Sequence, residues 1–482
     1  QGGVLRLITR PPRLGRLAEV RLRAGTVGSA RLDGALGWGD GGAGLLAVGQ
    51  VSAAEGDFPY LDVNGNRRLR QNNQSAQGGG LVKGHWDLAD GHGRLFGLVE
   101  GLALERGEPG VEQFERTRSA SARRRLQAAA GWRTPSTAPT QARLVAFGRI
   151  EAYAFDDPQP VFAGPTRFEL QDTTVGATGR VARALGEHAL SALGELRREA
   201  AHTETTGDPS TEPARDEARL RGALTAVDTW AVHPRLSLTG ALRLDLNTER
   251  AAIVAPHGGL AWRLVGPLWL RGNLGRLFRD PGFDERYFVG QGVRGDPGLR
   301  AEDGWGADLG LQWAARRVSA ELVGFAQRYD RLILFAPLGA YRVQAQDRFA
   351  ARVDGLEARV ATEGRWGSVG VSWTGLRAHF DDALGAALPY RPAHRVDGQV
   401  AAWVGPARAF TRWTWRSRAY VDTFESRSVP AYGTVDLGVD GPLGQGFSAG
   451  AEIRNALDAQ GQDTAQQPLP GRRLFLSLAW QG

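Results

Sequence analysis

The sequence predicts an all-β fold, a 22-stranded antiparallel transmembrane β-barrel with short periplasmic turns and long extracellular loops. Three observations predict it. Apolar and polar residues alternate with a period of two along many segments, the connections alternate between short and long, and tryptophans and tyrosines gather at opposite ends of the segments. In the clearest segment Leu236, Leu238, Gly240, Leu242, Leu244 and Leu246 alternate with Arg235, Ser237, Thr239, Ala241, Arg243 and Asp245. One face suits lipid and the other a polar lumen.

Composition agrees with one large β structure. Of 482 residues 66 are glycine, and no apolar run approaches the roughly 18 residues that a membrane helix needs. A mean hydropathy of -0.31 fits a barrel, which exposes apolar side chains only at alternate positions. Cysteine is absent, which excludes disulfides and thiolate metal sites. The net charge is +7, and among 59 basic residues only Lys83 is lysine. Guanidinium forks suit a polar lumen and lipid phosphates, and with no local basic cluster the charge gives no sign of nucleic-acid binding.

In chain order, residues 1–9 form a short strand that Pro11 and Pro12 end. Barrel strands are then expected at 17–27, 29–38, 43–53, 77–89, 94–106, 120–132, 140–155, 168–184, 187–200, 216–231 and 235–247. They continue at 256–265, 267–278, 303–315, 317–332, 343–361, 366–380, 393–404, 407–422, 431–441, 446–457 and 471–481. Each is long enough to cross a bilayer at a tilt of about 45°. Connections at 39–43, 89–93, 233–234, 265–266, 405–406 and 441–446 are tight, whereas 54–76, 107–119, 201–215, 279–302, 381–392 and 458–470 are long. The tight set is periplasmic and the long set extracellular.

Trp38, Trp86, Trp132, Trp230, Trp262, Trp269, Trp313, Trp366, Trp403 and Trp480 fall near the turn side or the C-terminus. Tyr60, Tyr153, Tyr287, Tyr329, Tyr341, Tyr390, Tyr420 and Tyr432 fall near the loop side. The last strand turns Leu474, Leu476, Leu478 and Trp480 outward and Arg473, Phe475, Ser477 and Ala479 inward. It must pair with the first, because an open edge in lipid leaves backbone groups without partners.

Several stretches resemble the TonB-dependent outer-membrane receptors. FRDPGFDERYF at 278–288 is similar to the family's FRxPxFxExY element, and GDPGLRAE at 295–302 to its GNPxLxPE element, with Asp296 and Ala301 as departures. Gly355-Leu356-Glu357, LPYRPAHR at 388–395, IRNALDA at 453–459 and Gly471-Arg472 follow in the family's order. GGVLRLIT resembles the last strand of the family's plug domain, and EGDFPYLDVNGN an early extracellular loop. The resemblance implies a plug strand at 1–12, the rest of the plug being missing from the sequence, and a barrel at 17–482. It implies a multi-pass protein of the cell outer membrane, a receptor and not an enzyme. Such a receptor imports a scarce ligand such as a ferric siderophore, another metal chelate or cobalamin, and is driven by TonB through the missing plug. Outer-membrane lipids and lipopolysaccharide are its expected surroundings. A plug-less passive pore or an adhesive barrel is the alternative, since a barrel of this width without a plug leaves an aqueous channel.

Ligand contacts are expected from loop tips and the upper lumen, with Phe58, Tyr60, Arg286, Tyr287, Phe288, Arg294 and Tyr390 as candidates. Aromatic faces and guanidinium groups suit a bulky, anionic chelate. Asp62, Asn64 and Asn66 have the spacing of a calcium loop with Asp57 nearby, although Asn73 stands where a bidentate Glu is needed. Loop calcium is the only cofactor the spacing suggests; a turn-forming loop explains the same residues. GQGVRG at 290–295 fits a dinucleotide fingerprint only literally, since no helix follows it. The eight histidines include no HExxH, and no GxSxG elbow supports a hydrolase.

Overall fold

The computed structural model of the protein describes residues 15–482 other than 63, 160–164, 208–213, 291–292 and 338–342. The expected plug strand at 1–12 and Tyr341 lie outside the described residues. Twenty-two antiparallel strands close into a barrel. The first eleven are β1 (Gly15–Gly25), β2 (Ser29–Gly39), β3 (Ala43–Ala54), β4 (Ser75–Asp87), β5 (Arg94–Gly107), β6 (Ala120–Arg133), β7 (Thr140–Asp157), β8 (Thr166–Leu185), β9 (His188–Thr206), β10 (Ala214–His233) and β11 (Leu236–Asn247). The rest are β12 (Arg250–Val265), β13 (Leu268–Arg279), β14 (Glu302–Ala314), β15 (Val318–Pro337), β16 (Val343–Gly364), β17 (Gly367–Phe380), β18 (His394–Val404), β19 (Ala407–Arg416), β20 (Tyr432–Gly444), β21 (Phe447–Arg454) and β22 (Arg473–Gln481).

Closure is made by β22 on β1, with Leu478 opposite Leu22 and Trp480 opposite Val20. No edge of the sheet then faces lipid. Val20, Leu22, Leu144, Ile150, Leu224, Leu309, Leu356 and Leu476 all stand exposed on the outer face. The intervening residues carry the charge: Arg23 reaches Glu452 at 2.5 Å, and Arg149 reaches Asp172 at 2.9 Å, both across the inner wall.

Every expected barrel strand is present, and the differences lie at the upper ends. β9 continues to Thr206 and β15 to Pro337, beyond the expected ends at 200 and 332. Above the bilayer both faces meet water, so the apolar half of the alternation disappears while the ladder continues; the outward His202 pairs with Asp216 there at 2.8 Å. β12 begins at Arg250 because Pro256 stays in register opposite Leu242. β19 ends at Arg416, short of 422, because the chain leaves the wall to form the separate hairpin Ala419–Tyr420 with Ser428–Val429.

All connections on the turn side are short, but the loop side is not uniformly long: residues 26–28 and 248–249 are tight hairpins there. Strand lengths also vary around the wall. β16 has 22 residues and β15 has 20, while β21 has 8 and β22 has 9. The aromatic sorting has exceptions: Trp305 and Trp415 face outward near the upper ends of β14 and β19, and Trp373 and Trp413 share the outward parity part-way up β17 and β19.

Leu476 lies near the middle of β22 with its side chain 59% exposed to lipid. Leu476→Arg places a charge at the bilayer midplane and is expected to destabilise the barrel by about 2–4 kcal/mol. Leu476→Ile is expected to cost less than about 1.5 kcal/mol. Denaturant unfolding in lipid vesicles, read by tryptophan fluorescence, checks the difference.

Candidate functional site in the upper lumen

The long connection between β13 and β14 folds inward and is fastened to the barrel wall by paired charges. A five-residue helix, α1 (Phe283–Tyr287), lies within it. Asp280, at the start of the loop, is reached by Arg221 of β10 at 2.8 Å and by Arg250 of β12 at 2.5 Å. Arg219 of β10 donates to Glu199 of β9 at 2.5 Å and to the Pro281 carbonyl at 3.0 Å, and its guanidinium stacks 4.6 Å from the Phe283 ring. Arg279 forks between Glu285 at 2.6 Å and Glu302 at 2.9 Å. Glu285 also accepts from the Gly282 N–H at 2.8 Å, which supplies a partner for the first turn of α1. A Cβ on Gly295 would lie 2.5 Å from the Arg286 backbone, so this position needs glycine for the loop to close on itself.

The FRDPGFDERYF motif is therefore a latch. Its Arg279, Asp280 and Glu285 hold the loop to the wall. Burial opposes ionisation of Asp280, but Arg250 and Arg221 outweigh it and hold the carboxyl below the ordinary carboxylate range.

Between the latch and strands β5 to β10 lies a cavity of about 550 Å³. Arg106, Arg123, Arg149, Tyr153 and Phe168 descend into it from the wall, and Phe288 closes it from the loop. Phe168 meets Phe288 edge-on at 4.7 Å and Tyr153 at 6.3 Å, and Arg123 lies 5.6 Å over the Tyr153 ring. The carboxylates Glu151, Asp172, Glu199 and Asp284 also line it, so its guanidiniums are balanced by negative charge. Arg149 nevertheless keeps a buried Nε with no hydrogen-bond partner among the described residues, a donor left over in the cavity wall. The arrangement offers forked donors, acceptors and flat apolar faces. Among the described residues that line it there is no serine, threonine, cysteine or histidine.

Of the residues singled out from sequence, Phe288 lines the cavity and the other six do not. Arg286 is taken up by Glu249 at 2.9 Å and by the Leu299 carbonyl. Tyr287 stacks on Phe283 under the Arg215 guanidinium. Arg294 is exposed in a short ladder beside Val343–Gln344. Tyr390 adopts a left-handed backbone, φ 57°, and donates its N–H to the Tyr420 carbonyl at 2.7 Å. Phe58 and Tyr60 are buried in the hairpin Phe58–Leu61 with Arg67–Arg70. Burial and a hydrogen bond to Glu115 at 2.8 Å push the Tyr60 hydroxyl up to about 12.

The residues proposed for calcium form a turn. Asp62 Oδ1 accepts from the N–H groups of Asn66 and Asn64 at 2.8 and 2.9 Å, and Oδ2 from Arg68 at 2.9 Å. The Asn66 side chain also donates to Asp62, while Asp57 is exposed. These donors, the Asn66 N–H first, hold the Asp62 carboxyl below its ordinary range. Among the described residues no group of three or more acidic or histidine side chains is placed to hold a metal ion.

Reading the sequence missed Arg106, Arg123, Arg149, Tyr153 and Phe168. Their one signal was a basic or aromatic residue at the inward parity near the upper ends of β5 to β8.

A closed barrel with an outward apolar belt, a charged lumen and extracellular loops defines an outer-membrane β-barrel, and the protein resides in that membrane. Residues 33–456 match the family model described as TonB dependent receptor-like, beta-barrel, and the chain belongs to that family. No curated protein sequence matches it. Among solved structures it is similar to the ferric yersiniabactin uptake receptor FyuA from Yersinia pestis, with a TM-score of 0.83 at 12% identity, covering 100% of this chain and 82% of that one. The copper transporter OprC gives 0.81 at 16% identity, with 99% and 82% covered. The siderophore receptor PirA from Pseudomonas aeruginosa gives 0.74 at 14%, with 98% and 82% covered.

Because its pKa is lowered in the fold, Asp280 contributes stability that is complete above the unfolded carboxylate value of about 3.9 and is lost as pH falls through the lower folded value. Amide hydrogen exchange over 281–288 is expected to be unchanged from neutral pH to about pH 5, after correction for intrinsic rates, and to rise only below about pH 4. A rise above that range would show that another group holds the latch.

Proposed function

We propose that the protein is a receptor that takes up a bulky metal chelate or cobalamin-like ligand at the upper-lumen cavity and imports it across the outer membrane. The observation that carries this reading is the convergence of Arg106, Arg123 and Arg149 with Tyr153, Phe168 and Phe288 around one cavity facing the extracellular side. Guanidinium forks recognise carboxylate, catecholate or phosphate oxygens, and the ring faces pack on flat ligand surfaces. The partnerless Arg149 Nε is a donor that a ligand oxygen would satisfy. The names of FyuA, OprC and PirA, which describe uptake of ferric yersiniabactin, copper and a siderophore, support a metal-bearing cargo.

No covalent chemistry is required. Binding tightens the extracellular side, and release into the periplasm needs work, which in this family reaches the barrel through the plug and TonB. Uptake then follows from differential affinity between two states of the receptor.

Titration of the full-length receptor in detergent with ferric catecholate, ferric hydroxamate, ferric phenolate, cupric ion and cobalamin tests the reading. At least one is expected to bind, and Arg149→Ala and Phe168→Ala are each expected to weaken that ligand about tenfold or more, about 1.4 kcal/mol. Arg294→Ala, outside the cavity, is expected to leave affinity unchanged. Absence of binding by the whole panel, together with a steady ion conductance in planar bilayers, would replace this reading with a passive pore.

A further inference from the structure

Near the periplasmic mouth the inner wall carries a row of like charge. Asp87 of β4, Arg94 of β5, Arg133 of β6, Arg143 of β7 and Arg180 of β8 stand directly opposite one another in turn. Their chain neighbours Leu95, Leu144 and Val181 are exposed on the outer face, so the row looks into the lumen. Arg94 opens β5 and Arg133 closes β6, whereas Arg180 is the sixth residue from the lower end of β8. The row therefore begins at the rim and ends a little inside it.

Like charges directly opposite one another are destabilising. Opposed arginines elsewhere on this wall, such as Arg23 with Arg31, Arg197 with Arg221 and Arg395 with Arg416, each have a carboxylate partner. Here Asp87 is taken up by the fork of Arg94, and Glu195, diagonal to Arg180 on β9, is held by Arg197 at 3.0 Å. Arg133, Arg143 and Arg180 are exposed and have no ion-pair partner among the described residues; Arg143 rests 4.9 Å over the Phe96 ring. Adjacent strands stand about 4.8 Å apart, well inside the screening length of about 8 Å at physiological salt, so the three fields add.

The row lies beneath the upper cavity on the same strands. Arg106, Arg123, Arg149 and Phe168, which line that cavity, belong to β5, β6, β7 and β8. On β7, Arg143 is six residues below Arg149, about 20 Å along the strand, and the inward positions between them are Val145 and Phe147. A Cβ on Gly176 would stand 2.8 Å from the Phe147 ring and one on Gly131 2.6 Å from the Phe96 ring, so glycine lets both rings fold against the wall. The descent between the two sets of guanidiniums is smooth and apolar. The upper set is balanced by Glu151, Asp172, Glu199 and Asp284; the lower set has no such balance.

We propose that Arg133, Arg143 and Arg180 form a second station, at the periplasmic end of the lumen, for the oxyanion groups of an anionic metal chelate that has left the upper cavity. The assignment rests on the import reading above. In the upper cavity an anion competes with four carboxylates for its guanidiniums, and at the row it competes only with Asp87, already held by Arg94, so the field favours descent. Three forked side chains in a line offer more donors than one oxyanion group uses, which suits a chelate that carries several. An acidic plug segment is the other candidate occupant, and the expected plug strand does not supply it: residues 1–12 include Arg6 and Arg10 and no aspartate or glutamate.

Titration of the full-length receptor in detergent with pyrophosphate tests the station without knowledge of the cargo. Binding is expected, weakened about tenfold in the Arg133→Gln, Arg143→Gln, Arg180→Gln triple variant and kept within about twofold in the Arg133→Lys, Arg143→Lys, Arg180→Lys triple. Absence of binding, or equal affinity in parent and glutamine triple, overturns the proposal. So does a loss produced by Arg149→Gln and not by the glutamine triple, which would put the anion in the upper cavity. Binding by the 482-residue chain that is lost in the full-length receptor also overturns it, since a plug would then occupy the row. Uptake into energised cells of whichever chelate binds the receptor is expected to fall about tenfold in the glutamine triple while its equilibrium affinity stays within about twofold. Uptake at the parental rate, or uptake and affinity lost in step, overturns the cargo role. A panel of chelates of which none binds defeats the import reading instead, and the pyrophosphate result still decides the row. Heat-modifiable migration shows whether each variant is a closed barrel, and Arg143→Gln alone, which breaks no ion pair among the described residues, decides the matter if the triple does not fold.

Discussion

The pairing of β22 with β1 is the constraint on which everything else rests. In hydrocarbon there is no water to accept an unpaired N–H or donate to an unpaired C=O, and each such group costs several kcal/mol. A sheet of this length is stable in lipid only if its first and last strands meet. The register that joins Leu22 to Leu478 also fixes which side chains face out, since a slip of one residue would turn every leucine of the seam into the lumen. Closure therefore sets the polarity of both surfaces at once.

The inner surface solves a second problem, how to keep charged side chains on a wall beside a wide lumen. It does so by sharing. Glu452 is reached by Arg23, Arg412 and Arg454 at 2.5, 2.6 and 3.0 Å, and Asp245 by Arg243 and Arg250. Arginine suits this role because its planar fork serves two carboxylates together, as Arg279 does between Glu285 and Glu302. The near-absence of lysine has a structural use here, whatever its origin. The same network that braces the wall extends into the loop after β13 and turns a surface connection into part of the cavity roof.

How much of this was legible before the structure follows from what a linear pattern encodes. Alternation reports the face of each strand and the lengths of connections report its direction, so strand number, order and sidedness were readable from Leu236 to Leu246 and from Leu474 to Trp480. Alternation fails where lipid ends, which is why the upper ends of β9, β12 and β15 were misplaced. Cavity residues were harder. Arg106, Arg123, Arg149, Tyr153 and Phe168 come from four strands, and only the shear of the closed sheet brings them to one height. Phe288, singled out because its motif marks the loop, lines the cavity, while the motif's charged members hold the chain in place. Phe58 and Tyr60 stand out in the sequence because an aromatic in a loop is conspicuous in one dimension. In three dimensions they fill the inside of their own hairpin.

The unequal strand lengths divide the mouth into two kinds of material. Along β15 and β16 the sheet itself stands above the bilayer as a continuous hydrogen-bonded parapet, whereas beside β19, β21 and the short strands next to them the rim is made of small hairpins perched on a low wall. The hairpins at Phe58–Arg70, Ala419–Val429 and Gln462–Pro468 share few ladder bonds with the barrel. That half of the entrance can change in sequence and shape without loosening the seam below it.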